Sequence, residues 1–226
     1  MSPDIVEKQI MTVTRIEELS KSRSRVYIDD QFAFVLYKGE LRLYHLREGE
    51  EIALQDYETI LGEILPKRAK LRAMNLLKSR DYTVSQLRQK LEQGGYPEAV
   101  AEEALGYVES FHYTDDLRYA VSFIAGHENS RSRRRIEQDL MRRGICREPL
   151  EKAWLEWEEQ GGRQDEHAII RELLRKKKFD PECADEKEKL RIYAFLLRKG
   201  FSGELARKAV NGIMFCDSSE DIQSYT

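Results

Sequence analysis

The chain repeats itself three times, and this limits its fold more than any other feature. Leu87-Arg-Gln-Lys-Leu91-Glu-Gln-Gly-Gly95-Tyr96 is echoed by Ile136-Glu-Gln-Asp-Leu140-Met-Arg-Arg-Gly144-Ile145 and by Ile192-Tyr-Ala-Phe-Leu196-Leu-Arg-Lys-Gly200-Phe201. Each copy places apolar residues four apart, a glycine four further on, and an apolar residue directly after the glycine. Alanine plus a bulky apolar residue then follows nine and ten positions beyond, as Ala104/Leu105, Ala153/Trp154 and Ala209/Val210. Apolar residues four apart share one face of a helix, so each copy is a helix, a tight turn and the start of a second helix. Repetition at this spacing signals a scaffold built in units, whose function is to be sought on a face and not in a pocket.

Around the Gly94-Gly95 copy the local signals agree. Thr83 is suited to cap a helix, Gln86 stands three residues on to complete a capping box, and Tyr82 can staple against Leu87. Gly94-Gly95 supply a left-handed ending that a β-carbon would penalise, and Pro97 can open the next helix. A further helical stretch precedes each echo, over Leu71 to Lys78, Leu117 to Ala125 and Ala168 to Arg175. The unit is therefore a three-helix repeat of roughly 45–55 residues, within the range of helical repeat architectures. Thr114 is expected to cap the opening helix of the second unit, with Asp115 and Asp116 against its positive end, and Pro181 to begin a later helix in the third.

The first part of the chain has a different period. Met11 to Leu19, Arg25 to Ile28 and Phe32 to Tyr37 mix β-branched and aromatic residues with partial alternation, which predicts two or three short antiparallel strands with Asp29-Asp30 in a hairpin turn. So small a sheet needs something to pack on, and Leu54 to Leu65, with Tyr57, Ile60, Leu61 and Ile64 on one side, is a plausible covering helix. The expected organisation is a mainly α protein with tandem three-helix repeats in an elongated curved array, preceded by a small strand-rich segment. Its parts are 1–66 (strands and covering helix), 67–114, 115–163 and 164–214 (the repeats, the third divergent), and 215–226 (an acidic tail).

Charge separates the copies. Over Asn129 to Arg147 seven arginines face two acids, a local excess of five positive charges in a chain whose net charge is −3. With Ile136 and Leu140 marking the buried side, Arg134, Arg135 and Arg142 are expected to point away, while Arg133 and Arg143 flank it and spread their stems over apolar surface. So many arginines on one short helix repel each other unless a partner compensates, and guanidinium groups suit phosphate or carboxylate. Arg131 precedes this run, and a second basic cluster lies at Arg175-Lys176-Lys177-Lys178. Over Met1 to Leu65 the balance reverses, with eight basic residues against thirteen acidic.

Legible enzyme signatures are absent: there is no P-loop, no His-Glu-x-x-His, no G-x-S-x-G elbow and no Cys-x-x-Cys. Cys146, Cys183 and Cys216 have no paired spacing, so neither a disulfide framework nor a zinc knuckle is expected. His45, His112, His127 and His167 are scattered, and His112, between Phe111 and Tyr113, suits packing or hydrogen bonding better than catalysis. Trp154 and Trp157, and Tyr107, Phe111 and Tyr113, are expected in cores, although bases could stack on such rings where they are exposed. The N-terminal sequence lacks a signal-peptide layout and no run approaches a membrane span, so the expected location is the cytoplasm.

Taken together, Tyr82-Thr83-Val84-Ser85-Gln86-Leu87-Arg88-Gln89-Lys90-Leu91 with Gly94-Gly95-Tyr96, and Asp115-Asp116-Leu117-Arg118-Tyr119-Ala120 with the Arg133-Arg134-Arg135-Ile136 helix and its Arg143-Gly144-Ile145 end, strongly resemble the bacterial RecX family. The resemblance runs from about Ala69 onward. The third unit, His167 to Ile213, shares mainly helix spacing and Gly200-Phe201, and the leader from Thr12 to Phe34 also looks like that of many members, with Asp29-Asp30 where they commonly show Asp-Gly. The resemblance implies a non-enzymatic, cofactor-free regulator of the RecA recombinase that binds RecA filaments on single-stranded DNA and modulates, mostly inhibits, ATP hydrolysis and strand exchange. It implies a monomer without membrane contact, with Tyr82, Leu87, Gly95 and Tyr119 as scaffold. Arg133, Arg134 and Arg135 would contact RecA or DNA, joined by Arg131, Arg142, Arg143, Arg175, Lys176, Lys177 and Lys178 as further candidates. The alternative is an independent protein binding single- or double-stranded DNA through the basic helix without RecA.

Overall fold

The computed structural model describes residues 11–213; the expected acidic tail and Cys216 lie outside them. The leader forms four strands, one more than expected: β1 (Met11–Glu18), β2 (Arg23–Ile28), β3 (Gln31–Tyr37) and the two-residue β4 (Glu51–Ile52), in antiparallel order β3-β2-β1-β4. Ile28 pairs with Gln31, leaving Asp29 and Asp30 as a two-residue turn with φ of 49° and 64°, the left-handed pair a type I′ hairpin needs. Aspartate tolerates this region because its short side chain bonds locally. Asp29 Oδ1 accepts from Thr12 N at 3.0 Å, and Asp30 N donates to Thr14 Oγ1 at 3.0 Å. A short helix α1 (Lys38–Leu43), which the sequence reading lacks, follows β3.

The covering helix does not stop where expected. Helix α2 (Leu54–Thr59) runs through one π-helical turn (Ile60–Ile64) straight into α3 (Leu65–Ser79). Pro66 is the cause: it has no N–H to donate and its ring crowds the preceding turn. The wider turn, with Leu65 N–H on the Ile60 carbonyl, accommodates the proline without ending the helix. The expected boundary at 66/67 thus falls inside a continuous helical run. Val13, Val26, Phe34 and Leu36 of the sheet share one core with Ile60, Leu65, Ala69 and Ala73 and with Leu87, Leu91, Ala104 and Leu105. Among the described residues, those up to Asp115 form one compact unit and those from Asp116 onward another. The sheet borrows the first helices because it cannot bury enough apolar area alone.

In the first unit α3 is followed by α4 (Val84–Gln93) and α5 (Glu98–Ser110). The Thr83–Gln86 capping box is present, and Tyr82 and Leu87 are buried in the same core. The second unit holds α6 (Asp116–Ala125), α7 (Arg133–Met141) and α8 (Arg147–Glu159), then α9 (Glu166–Lys177), α10 (Glu186–Arg198) and α11 (Gly203–Val210). Each of these trios has its own core, one around Ile136, Leu140, Ile145 and the edge-to-face pair Trp154/Trp157, the other around Ile170, Leu174, Leu196 and Phe201.

One turn recurs at the echoed positions. The residue after the glycine donates back five residues (Tyr96 to Leu91 O, Ile145 to Leu140 O, Phe201 to Leu196 O), while Gly95, Gly144 and Gly200 donate back three at φ of 83°, 88° and 93°. This is the Schellman ending, with the apolar residue folded onto the helix it terminates. Three further helices end the same way on non-glycine residues, His45 before Leu46, His112 before Tyr113 and Lys178 before Phe179, at φ of 50°, 55° and 54°.

Three local expectations are corrected. Helix α6 opens at Asp116, which puts Asp115 at the cap position, and the Thr114 hydroxyl is buried without a partner among the described residues. Pro181 sits in a turn closed by Ala184 N on Asp180 O, and α10 starts at Glu186 under an Asp185 cap. The His112 ring is exposed because its residue serves as the left-handed stop, and Phe111 and Tyr113 are 55% and 49% exposed beside it, not in the core.

Candidate functional site

Helix α7 is held at its first turn by partners from the following trio. The buried Ser132 hydroxyl accepts from Arg135 N at 3.2 Å and donates to Lys199 O at 2.9 Å. Arg133 N donates to Glu166 Oε1 at 2.8 Å, so a carboxylate occupies the positive end of the helix. Gln164 Nε2 spans the carbonyls of Arg131 (2.7 Å) and Glu128 (3.3 Å). Gly200 lies so close that a β-carbon there would stand 2.6 Å from Ser132 Oγ. Between these elements opens a cleft of about 570 Å3 lined by Arg131, Arg135, Asp139, Phe195, Arg198 and Lys199.

Asp139 organises the arginines. Its side chain is 11% exposed and meets Arg131 Nη1 at 2.8 Å, Arg135 Nε at 3.3 Å and Arg142 Nη2 at 3.3 Å. Arg135 and Arg142 therefore fold back onto their own helix instead of projecting away as expected. Residues three and four apart meet on a helix surface, and Asp139 lies within that reach of both. The compensating partner that the repelling arginines require is thus internal. Three cations on one carboxylate leave a surplus of two positive charges at the cleft edge.

The other predicted residues divide. Arg133 spreads over Trp154 at 4.3 Å from the ring and pairs with Glu137 (3.2 Å) and Glu158 (3.4 Å). Arg143 donates to the Tyr119 hydroxyl at 3.0 Å and covers Phe123; both keep their stems on apolar surface, as expected. Arg134 is exposed and makes no ion pair with any described residue. In the second cluster Arg175 and Lys176 both engage Glu172, at 2.7 and 3.4 Å. The Arg175 hydrogen bond, aided by Lys176, holds the Glu172 carboxyl down at about 2. Lys178 is the left-handed helix stop, and Lys177 reaches Phe195, with Nζ 5.1 Å from the ring centroid.

Sequence reading missed Arg198 and Lys199, although a signal existed. They occupy the two positions before Gly200, as Arg142 and Arg143 do before Gly144. Lys199 Nζ lies 5.7 Å from the Phe195 ring centroid. Among the described residues no group of acids, histidines or cysteines is arranged to hold a metal ion, and no helix is long and apolar enough to cross a membrane.

Comparison with known proteins agrees with this architecture. Sequence profiles for the first, second and third three-helix domains of RecX match residues 69–107, 115–153 and 164–210, in that order. The chain is 32% identical over 203 residues to the regulatory protein RecX of Caldanaerobacter subterraneus subsp. tengcongensis, covering 89% of this chain and 99% of that protein. It is 26% identical over 211 residues to that of Clostridioides difficile, covering 91% and 97%. A crystal structure of a regulatory protein RecX shares the fold with a TM-score of 0.53 at 21% identity, over 88% of this chain and 98% of that one. With its three domains matched in sequence order and its relatives aligned over nearly their whole length, this chain belongs to the RecX family of regulatory proteins.

Proposed function

We propose that this protein regulates RecA in the cytoplasm by binding its filament on single-stranded DNA as a monomer without a cofactor, mostly inhibiting ATP hydrolysis and strand exchange. Its contact surface is the exposed side of α7 together with the cleft beside it. The observation that carries this reading is the cleft itself: Arg131, Arg135, Arg198 and Lys199 line it against the single carboxylate Asp139. Such a surface suits a carboxylate-rich patch of a protein filament or the phosphates of the DNA within it. Tandem domains joined in one chain turn several weak contacts into a strong one, because each later contact forms at high effective concentration.

The test uses residues that do not touch Asp139, so the folded state is spared. Replacing Arg134, Arg198 and Lys199 together by Ala should raise the concentration needed to inhibit RecA ATPase on single-stranded DNA at least tenfold, with an unchanged thermal midpoint. Undiminished inhibition at equal folded concentration would remove this surface from the mechanism. If that variant instead loses binding to naked DNA while inhibiting RecA fully, the independent DNA-binding reading takes its place.

A further inference from the structure

In the first unit, whose residues 1–65 the sequence reads as acidic, a second basic cleft of about 390 Å3 opens between sheet and helices. Its cations come from three elements: Arg23 from the start of β2, Arg68 and Arg72 from α3, and Lys90 from α4, with Tyr37 and Tyr96 beside them. Arg68 is committed to the walls. It donates to Glu40 Oε2 at 2.7 Å and to Val35 O at 2.6 Å, and its guanidinium lies 4.8 Å from the Tyr37 ring centroid and 5.8 Å from that of Tyr96. Arg23, Arg72 and Lys90 form no ion pair with any described residue, and no acid lines the cleft. Three cations held close together without a counter-charge repel one another and attract an anion.

The shape of the floor is set by the Gly94-Gly95 turn. Gly95 O accepts from Val35 N at 3.3 Å, and a β-carbon on Gly95 would overlap the Val35 side chain. The turn of the first echo therefore seats on β3, and Lys90 of α4 lines the same cleft as Arg23 of β2. Beyond Val35 and Gln93 the surface continues to Phe32, which stands edge-to-face with Tyr27 at 5.9 Å and is exposed, as Tyr37 is.

We propose that this cleft is a binding site for single-stranded nucleic acid, in which Arg23, Arg72 and Lys90 hold successive phosphates and Tyr37, with Phe32 further along, offers rings for bases to stack on. A groove lined by cations with an exposed ring beside them suits a chain that alternates phosphate and base. An acidic peptide would use the charges and leave the rings idle. Contacts to phosphates carry no base information, so binding is expected to be insensitive to base sequence. The site is independent of the α7 surface and needs no RecA.

The test is fluorescence anisotropy of the full-length protein with a labelled thymidine 20-mer, without RecA, over a range of salt. Arg23→Ala/Arg72→Ala/Lys90→Ala should weaken binding at least tenfold at low salt and reduce the slope of log affinity against log salt by about 2, given roughly 0.7 per phosphate contact on a single strand. Tyr37→Leu should lower affinity for the 20-mer but not for an abasic oligomer of the same length. The helix-surface pair Arg72→Ala/Lys90→Ala provides the same comparison should the triple variant unfold. Wild-type affinity in a folded variant would overturn the proposal, as would a poly-glutamate competitor displacing the oligomer as well as unlabelled thymidine 20-mer does. Inhibition of RecA by the same variants is read separately, so failure of this site and failure of the α7 surface are distinguishable.

Discussion

At position 139 a single carboxylate converts a run of mutually repelling arginines into an ordered surface. Its three partners are between about one third and two thirds exposed, so water screens each pair and the net stabilisation is far below that of a buried ion pair. Asp139→Asn should cost about 1–2 kcal/mol in urea unfolding, since the arginines can turn to solvent once released. A cost near zero would mean the cluster holds itself without the acid. The same reasoning explains why Arg135 and Arg142 were misplaced from the helical wheel. A wheel gives the direction in which a side chain leaves the helix, whereas a guanidinium on a long stem goes where its nearest carboxylate is. Trp154 and Trp157 were legible as core because large rings beside leucines at helical spacing gain most from burial. Phe111 and Tyr113 break the rule because they lie past the helix end, on either side of the left-handed His112.

At the scale of elements, the echoed glycines serve two purposes that the sequence presents as one. Ending a helix in the left-handed region needs only the glycine's own backbone freedom, and that was readable. The close approach was not: Gly200 faces the Ser132 cap of α7, whereas Gly161, with φ of 89°, has open space around it. Gly161→Ala should therefore cost about 1 kcal/mol for the left-handed backbone alone. Gly200→Ala should cost about 1–3 kcal/mol more for the added overlap and should broaden the amide signals of Arg135 and Lys199. Equal losses in chemical denaturation would mean that the Gly200 turn does not hold α7. The Pro66 region shows the opposite limit of local reading, where a residue that normally ends a helix is absorbed by one π turn.

Over the whole molecule, what the sequence divided at 66/67 is one unit to Asp115. A fragment of residues 1–115 should unfold in a single cooperative transition, while a fragment of residues 1–66 should show none, because its sheet loses the apolar faces of α4 and α5. Separate circular-dichroism melts check this, and a cooperative melt of the shorter fragment would restore the original boundary. The net charge of −3 is likewise a poor guide, since few acids line either basic cleft, while acids such as Asp165, Asp185, Glu148 and Glu172 serve elsewhere as caps or helix-surface partners.

The sequence by itself determined the helices of the repeats and the glycine turns that end them, and through these the RecX resemblance. Each depends on residues within five positions of one another, where backbone geometry and side-chain type suffice. Tertiary structure alone decided which distant charges meet. Arg131 and Lys199 line one cleft, and Arg23 and Lys90 another, only after glycine turns have brought distant elements into contact, and no local period encodes a separation of nearly seventy residues.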